Sequence, residues 1–159
     1  INEDLKSNLL FMRGICYERL NNWQSAEEDF LNSLEINKDS ANTLNYLAYA
    51  WIERNMFLDR SIKMLNKAHD KSPDSHYILD SLAWAHYKKN NLLIASELME
   101  EVIERAPGEA ISIDHLGDIY FAMGRKREAY YMWKQAMDLA EPEDEIIESL
   151  TEKLQKKHD

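Results

Sequence analysis

Small residues recur along this chain at a nearly constant interval, and that interval constrains the fold more than any other feature. Gly14, Ala48, Ala83 and Gly117 form a ladder that advances by 34, 35 and 34. A second ladder, Ala26, Ser61, Ala95 and Ala129, advances by 35, 34 and 34. Two ladders of one period mark a stack of similar supersecondary units, each too small to bury a core alone.

Around the rungs the apolar residues follow helical spacing. The stretch from Ile113 to Met137 is the clearest: Leu116, Gly117 and Tyr120 share one face, Ala129, Trp133 and Ala136 another, with a break at Gly124-Arg125-Lys126. That is a helix, a short turn and a second helix folded back on the first. A small residue stands where two helices cross, so enlarging it overpacks the crossing. Trp133 is the opposite case, a large plug between the helices.

The chain divides on this pattern into a lead-in at 1–6, four units at 7–40, 41–75, 76–109 and 110–143, and a closing helix with tail at 144–159. The second unit holds one extra residue, which the ladders place between Ala48 and Ser61, in the turn Asn55 to Asp59. Pro73, Pro107 and Pro142 close successive units, since proline and the residue before it stop a helix. Ile146, Ile147, Leu150 and Leu154 form one face of the last segment, and a lone helix of that length is marginal in water unless it packs on the preceding hairpin as a cap.

Composition narrows the function. Only four glycines and three prolines in 159 residues favour long helices with short connections. No apolar run approaches the roughly 20 residues that span a bilayer. The formal net charge of -10 repels phosphate backbones and anionic lipid, so nucleic acid and membrane surfaces are excluded as first partners. One cysteine, Cys16, allows no internal disulfide and is expected to sit in a helix as a small apolar residue.

The pattern Leu116-Gly117, Tyr120, Gly124, Ala129, Trp133 and Ala136, echoed by Gly14, Tyr17, Ala26 and Phe30 and by Leu82, Ala83, Ala95 and Pro107, resembles the tetratricopeptide repeat. The resemblance covers about Ser7 to Glu143. It implies an all-α fold, a right-handed α-solenoid of four helix-turn-helix repeats with a C-terminal capping helix. Asp114-His115-Leu116-Gly117-Asp118 with Gly124-Arg125-Lys126 is similar to the closing repeats of long bacterial members, which implies repeats upstream of Ile1. Such proteins are often exported, so the expectation is a soluble protein of the bacterial cytoplasm or periplasm. Arg13 departs from the leucine of the other units, and His69 and His86 fall on core positions where satisfied interior histidines are expected.

No catalytic constellation is legible. His76 and Asp80 are i, i+4 on a helix but lack a third ligand, and Asp114, His115 and Asp118 read as a helix face rather than a metal site. No phosphate loop, G-x-S-x-G or H-E-x-x-H occurs. The expectation is no enzyme, no cofactor and no metal.

Recognition remains. In the family the first helices line a concave surface, so the resemblance implies a groove formed by Asn45, Tyr46, Tyr49, Tyr77, Asp80, Trp84, Asp114, His115 and Asp118, bordered by Asn42, Tyr87 and Phe121. Tyr and Trp are favoured at binding hot spots, and the carboxylates would attract Lys or Arg. None of these residues is basic, which excludes the carboxylate-clamping specificity of some relatives. The expected function is a protein-interaction scaffold taking a basic or apolar peptide or helix. The alternative is a spacer or self-associating segment of a longer solenoid, with Phe11, Met12 and Ile15 of the N-terminal repeat as the face for a preceding repeat or a homodimer.

Overall fold

The computed structural model describes residues 2–156. Its described residues form nine helices and no strand, an all-α helical-repeat fold: α1 Glu3–Arg19, α2 Trp23–Ile36, α3 Ala41–Glu53, α4 Leu58–Lys71, α5 His76–Lys88, α6 Leu92–Arg105, α7 Ala110–Ala122, α8 Lys126–Leu139 and α9 Ile146–Gln155. The contacts divide it into two compact units, 1–78 and 79–159.

Each hairpin turn is built in one way. Asn21, Asn55, Asn90 and Gly124 all adopt the left-handed conformation, with φ of 58°, 54°, 65° and 79°, which asparagine and glycine tolerate best. The residue after each donates its N–H to a carbonyl in the last turn of the preceding helix: Asn22 to Tyr17, Met56 to Trp51, Asn91 to His86 and Arg125 to Tyr120. This closes the first helix of every pair. Asn55 stands as far after Ala48 as Asn21 stands after Gly14, so the extra residue of the second hairpin falls after Asn55. There Phe57 is a second left-handed residue, at φ 48°, with its ring on Trp51 at 4.9 Å between centroids.

The helices start on side-chain caps where the sequence supplies them. Asn22 accepts from the N–H of Ser25 at 3.3 Å and Ser40 from that of Thr43 at 3.4 Å. In the first unit Ala26, Phe30, Leu47 and Trp51 are fully buried together. Arg13, the departure from leucine, forms a two-pronged pair with buried Asp29, Nε and Nη2 donating at 2.6 and 2.7 Å.

In the second unit a core runs from Leu79 through Met99, Leu116, Ile119 and Trp133 to Leu150. Leu150 of α9 is fully buried, with Ile146 and Leu154 packed beside it. Helix α9 keeps the repeat register, because Ile147, Leu150 and Leu154 stand one full period after Ile113, Leu116 and Tyr120. Thr151 takes the place of Gly117, so a β-branched side chain occupies the site where a second helix crosses in the other hairpins.

Cys16 lies within α1 and is exposed there. Two expectations need correction. Phe11 and Ile15 are half-buried against the core of the first unit, and only Met12 of the three is exposed. His69 is half-buried with its Nδ1 lacking a hydrogen-bond partner among the described residues.

Candidate functional site

Taken from the residues upward, the candidate surface falls into two sets, one in each unit. Asn45, Tyr46, Tyr49 and Tyr77 belong to the first. Tyr46 is half-buried, its ring edge-on to Phe11 at 5.8 Å and tilted on Phe30 at 5.4 Å, and burial pushes its phenol up, with Glu18 adding to the shift. Tyr49 is half-exposed. Tyr77 is 61% exposed with His76 against its ring at 4.0 Å.

Asp80, Trp84, Asp114, His115 and Asp118 come together in the second unit, on α5 and α7. Asp80 is 8% exposed and His115 8%. Ser112 Oγ donates to one oxygen of Asp80, and His115 Nδ1 lies 2.9 Å from the other. His115 also stacks on Trp84 at 4.0 Å and 17°, and Trp84 on Tyr87 at 4.6 Å and 23°. Burial lowers the affinity of His115 for a proton, but Asp80, Asp114 and Asp118 outweigh it and raise the pKa.

Asp114 is 6% exposed. It accepts from Lys153 Nζ of α9 at 2.7 Å, and Asp118 from the same nitrogen at 2.8 Å. Asp118 also accepts from Trp133 Nε1 at 3.0 Å. Burial and the neighbouring Asp118 push the Asp114 carboxyl up despite Lys153.

These contacts correct the acidic part of the expected groove. Asp80, Asp114 and His115 are buried and committed to internal partners, so they do not stand open to a partner's lysine or arginine. The cause is the repeat itself. Asp80 and Asp114 occupy one register position in successive repeats, and each receives its donors from the next helix of the first type, Asp80 from α7 and Asp114 from α9. In the first unit the same position is held by Phe11 and Asn45; Phe11 meets Tyr46 of α3 in the corresponding way, and the buried Oδ1 of Asn45 has no hydrogen-bond partner among the described residues. At Phe11, Asp80 and Asp114 the position therefore joins one helix of the first type to the next.

Ser112 and Lys153 are the functional partners that sequence reasoning missed. A signal existed for Lys153: it stands one full period after Ile119, so a cation occupies on α9 the position that is apolar on α7. The His76 and Asp80 pair gains no third ligand, and no group of three metal-ligating side chains occurs among the described residues.

The tetratricopeptide-repeat model matches residues 7–40, the stretch holding the α1–α2 hairpin. A TPR repeat-containing protein of Pseudomonas aeruginosa is 31% identical over 116 residues, which cover 73% of this chain and 19% of that protein. This is a tetratricopeptide-repeat protein. A TPR repeat-containing protein of Methanocaldococcus jannaschii is 29% identical over 114 residues, covering 69% of this chain and 19% of that protein. The TPR chain thus spans about a fifth of the length of these two relatives. A thermophilic TPR protein of Thermus thermophilus shares the fold with a TM-score of 0.80 at 17% identity, over 93% of this chain and 79% of that one. The TPR fold is generally a non-catalytic scaffold for contacts between proteins. No helix among the described residues is long and apolar enough to cross a membrane.

Proposed function

We propose that this TPR chain is a non-catalytic scaffold that holds an apolar, extended or helical segment of a partner protein against its helices of the first type. The observation that carries the reading is the aromatic stack in the second unit. Tyr87 is its half-exposed outer ring, backed by Trp84 and then by His115. A rigid ring held from behind offers contact area at little entropic cost, as hot-spot residues do. Lys88 Nζ stands 5.4 Å from the Trp84 ring centre, and Lys153 neutralises the carboxylates nearby, which favours an apolar over a basic partner. In the first unit Tyr77, 61% exposed on α5, and half-exposed Tyr49 on α3 offer further aromatic contact area, with Asn45 and Tyr46 on the same helix as Tyr49.

A displayed peptide library selected on the immobilised chain tests this. The selected sequences should be rich in Leu, Ile, Met or aromatic residues, and Tyr87→Ala or Tyr77→Ala should weaken them about tenfold or more, roughly 1.4 kcal/mol, with each variant's melting curve recorded alongside. Peptides that bind both variants like the parent chain would sink the proposed surface. Failure to enrich any peptide favours the second reading, a segment of a longer array that serves as a spacer.

A further inference from the structure

We infer that the outer face of α8 is a self-complementary docking surface, on which a second copy of this chain packs its own α8 in the antiparallel direction. This goes beyond the peptide surface proposed above, uses a helix of the second type, and does not depend on that reading.

Spacing defines the face. Ala129, Trp133 and Ala136 turn α8 inward and are 0%, 3% and 0% exposed. On the opposite side Arg127, Tyr131, Lys134 and Asp138 follow at i, i+4, i+7 and i+11, the spacing of a seam between two helices. All four are exposed, Tyr131 at 62%, with Tyr130 beside it at 47%. The position of Tyr131 carries Glu28, Lys63 and Glu97 in the second helices of the other hairpins, so α8 alone of the four sets an aromatic ring on this outer ridge. Arg127, Tyr131, Lys134 and Asp138 make no hydrogen bond, ion pair or ring contact among the described residues.

The occupant is identified by the order of charge along the seam. A lone helix is favoured by anions near its N-terminus and cations near its C-terminus. The outer face of α8 has the reverse: Lys126 and Arg127 open the helix, Asp138 stands in its last turn, and Glu141, Glu143, Asp144 and Glu145 follow, all exposed. Glu128, also in the first turn, is paired with Arg125. Lys134 and Asp138 stand four apart in the order that pairs less well within one helix.

An antiparallel copy turns each of these local faults into a contact. The seam reads cation, ring, cation, anion. Set against its own reverse, it brings Arg127 beside the partner's Asp138 and Tyr131 beside the partner's Lys134, and each contact occurs twice about a two-fold axis. The cationic start of each helix then lies by the acidic end of the other, and the two helix dipoles oppose. A parallel copy would place like charges together at both ends. An unrelated acidic segment would satisfy Arg127 and Lys134 but face Asp138 and the acids beyond it.

Sedimentation of the 159-residue chain over a range of concentrations tests this. At low salt it should show a reversible equilibrium between monomer and dimer, weakened about tenfold or more in high salt because the paired charges lie at the surface. Arg127→Asp and Asp138→Arg change exposed side chains, and each variant should melt close to the parent. Each alone should self-associate about tenfold more weakly or worse, because like charges then meet twice. Mixed in equal amounts, the two variants should dimerise like the parent, since each meets the opposite charge at both ends. The chain carrying both substitutions should do so on its own. A parent that stays monomeric at every concentration overturns the inference, whether or not it captures an acidic peptide on α8. A dimer that both single variants leave intact overturns it too, since its interface then lies elsewhere, and a mixture of the variants that fails to pair rules out the antiparallel register.

Discussion

Gly117 lies so close to the indole of Trp133 that a β-carbon built on it would stand 2.5 Å from both Cδ1 and Nε1. The indole cannot swing away freely, because its Nε1 donates to Asp118 and its ring is 3% exposed in the core. Gly117→Ala should therefore cost about 1 to 3 kcal/mol by overpacking, and Trp133→Ala about 3 to 5 kcal/mol by leaving a void. Gly108, around which a β-carbon would meet nothing within 4 Å, is the control: its alanine variant should be neutral or slightly stabilising, by up to about 1 kcal/mol. Urea unfolding of the three variants measures all of this.

Arg13 and Asp29 replace, in register, the pairs Leu47 with Met64, Leu82 with Leu98 and Leu116 with Met132. An ion pair thus fills a site that is apolar in the other hairpins. Arg13→Leu alone should lower the melting temperature, because Asp29 stays buried at 3% exposure without its donor. Arg13→Leu with Asp29→Met should recover most of that loss, since two apolar partners restore the arrangement of the other hairpins. A double-mutant cycle decides the matter, and additive effects would contradict the pairing.

The same two residues show where legibility in the sequence stops. Period, helix pairing, turn positions and crossing residues are readable because each depends on residue size and backbone preference at fixed spacing. Arg13 visibly departs from that pattern, but finding its partner takes a comparison across helices that the single departure does not prompt. The candidate site fails for a related reason. Asp80, Asp114 and His115 sit on the expected helices, yet a helical wheel shows only which way a residue points. It does not show that the next helix arrives there with Ser112, His115 or Lys153 to take up the charge. Trp84 and Tyr77 illustrate the same limit, one 7% and the other 61% exposed.

His115 predicts a pH dependence. Its folded pKa is raised above the ordinary imidazole value, burial opposing and Asp80 leading the groups that outweigh it. A group whose pKa rises on folding stabilises fully below the unfolded value and loses that contribution as pH climbs through the folded one. His86 acts oppositely: burial, then Lys89, lowers its pKa, so its contribution is lost as pH falls through the folded value. The two overlap near neutrality, and the informative quantity is the difference in melting temperature between the parent and His115→Gln. That difference should be larger at about pH 6 than at about pH 8.5, and Asp80→Asn should flatten it. A difference that grows with pH would refute the charged pairing.

Lys153 ties α9 to α7 by placing one ammonium between two carboxylates. Burial on its own would release its proton, but Asp118 and the hydrogen bonds to both carboxylates keep it held. Lys153→Met keeps the packing of the stem but leaves Asp114, 6% exposed, facing Asp118 without a counter-charge. The loss should be about 1 to 3 kcal/mol, below the full cost of breaking a buried pair because the lysine side chain is 22% exposed. Amide exchange should accelerate in α9 before it does in α5 or α6, since only the docking of α9 is loosened. Lys153→Met combined with Asp114→Asn should recover part of the loss by removing the repulsion. High salt should weaken the parent more than Lys153→Met, and the opposite order would show that α9 is held by Leu150 and its apolar neighbours alone.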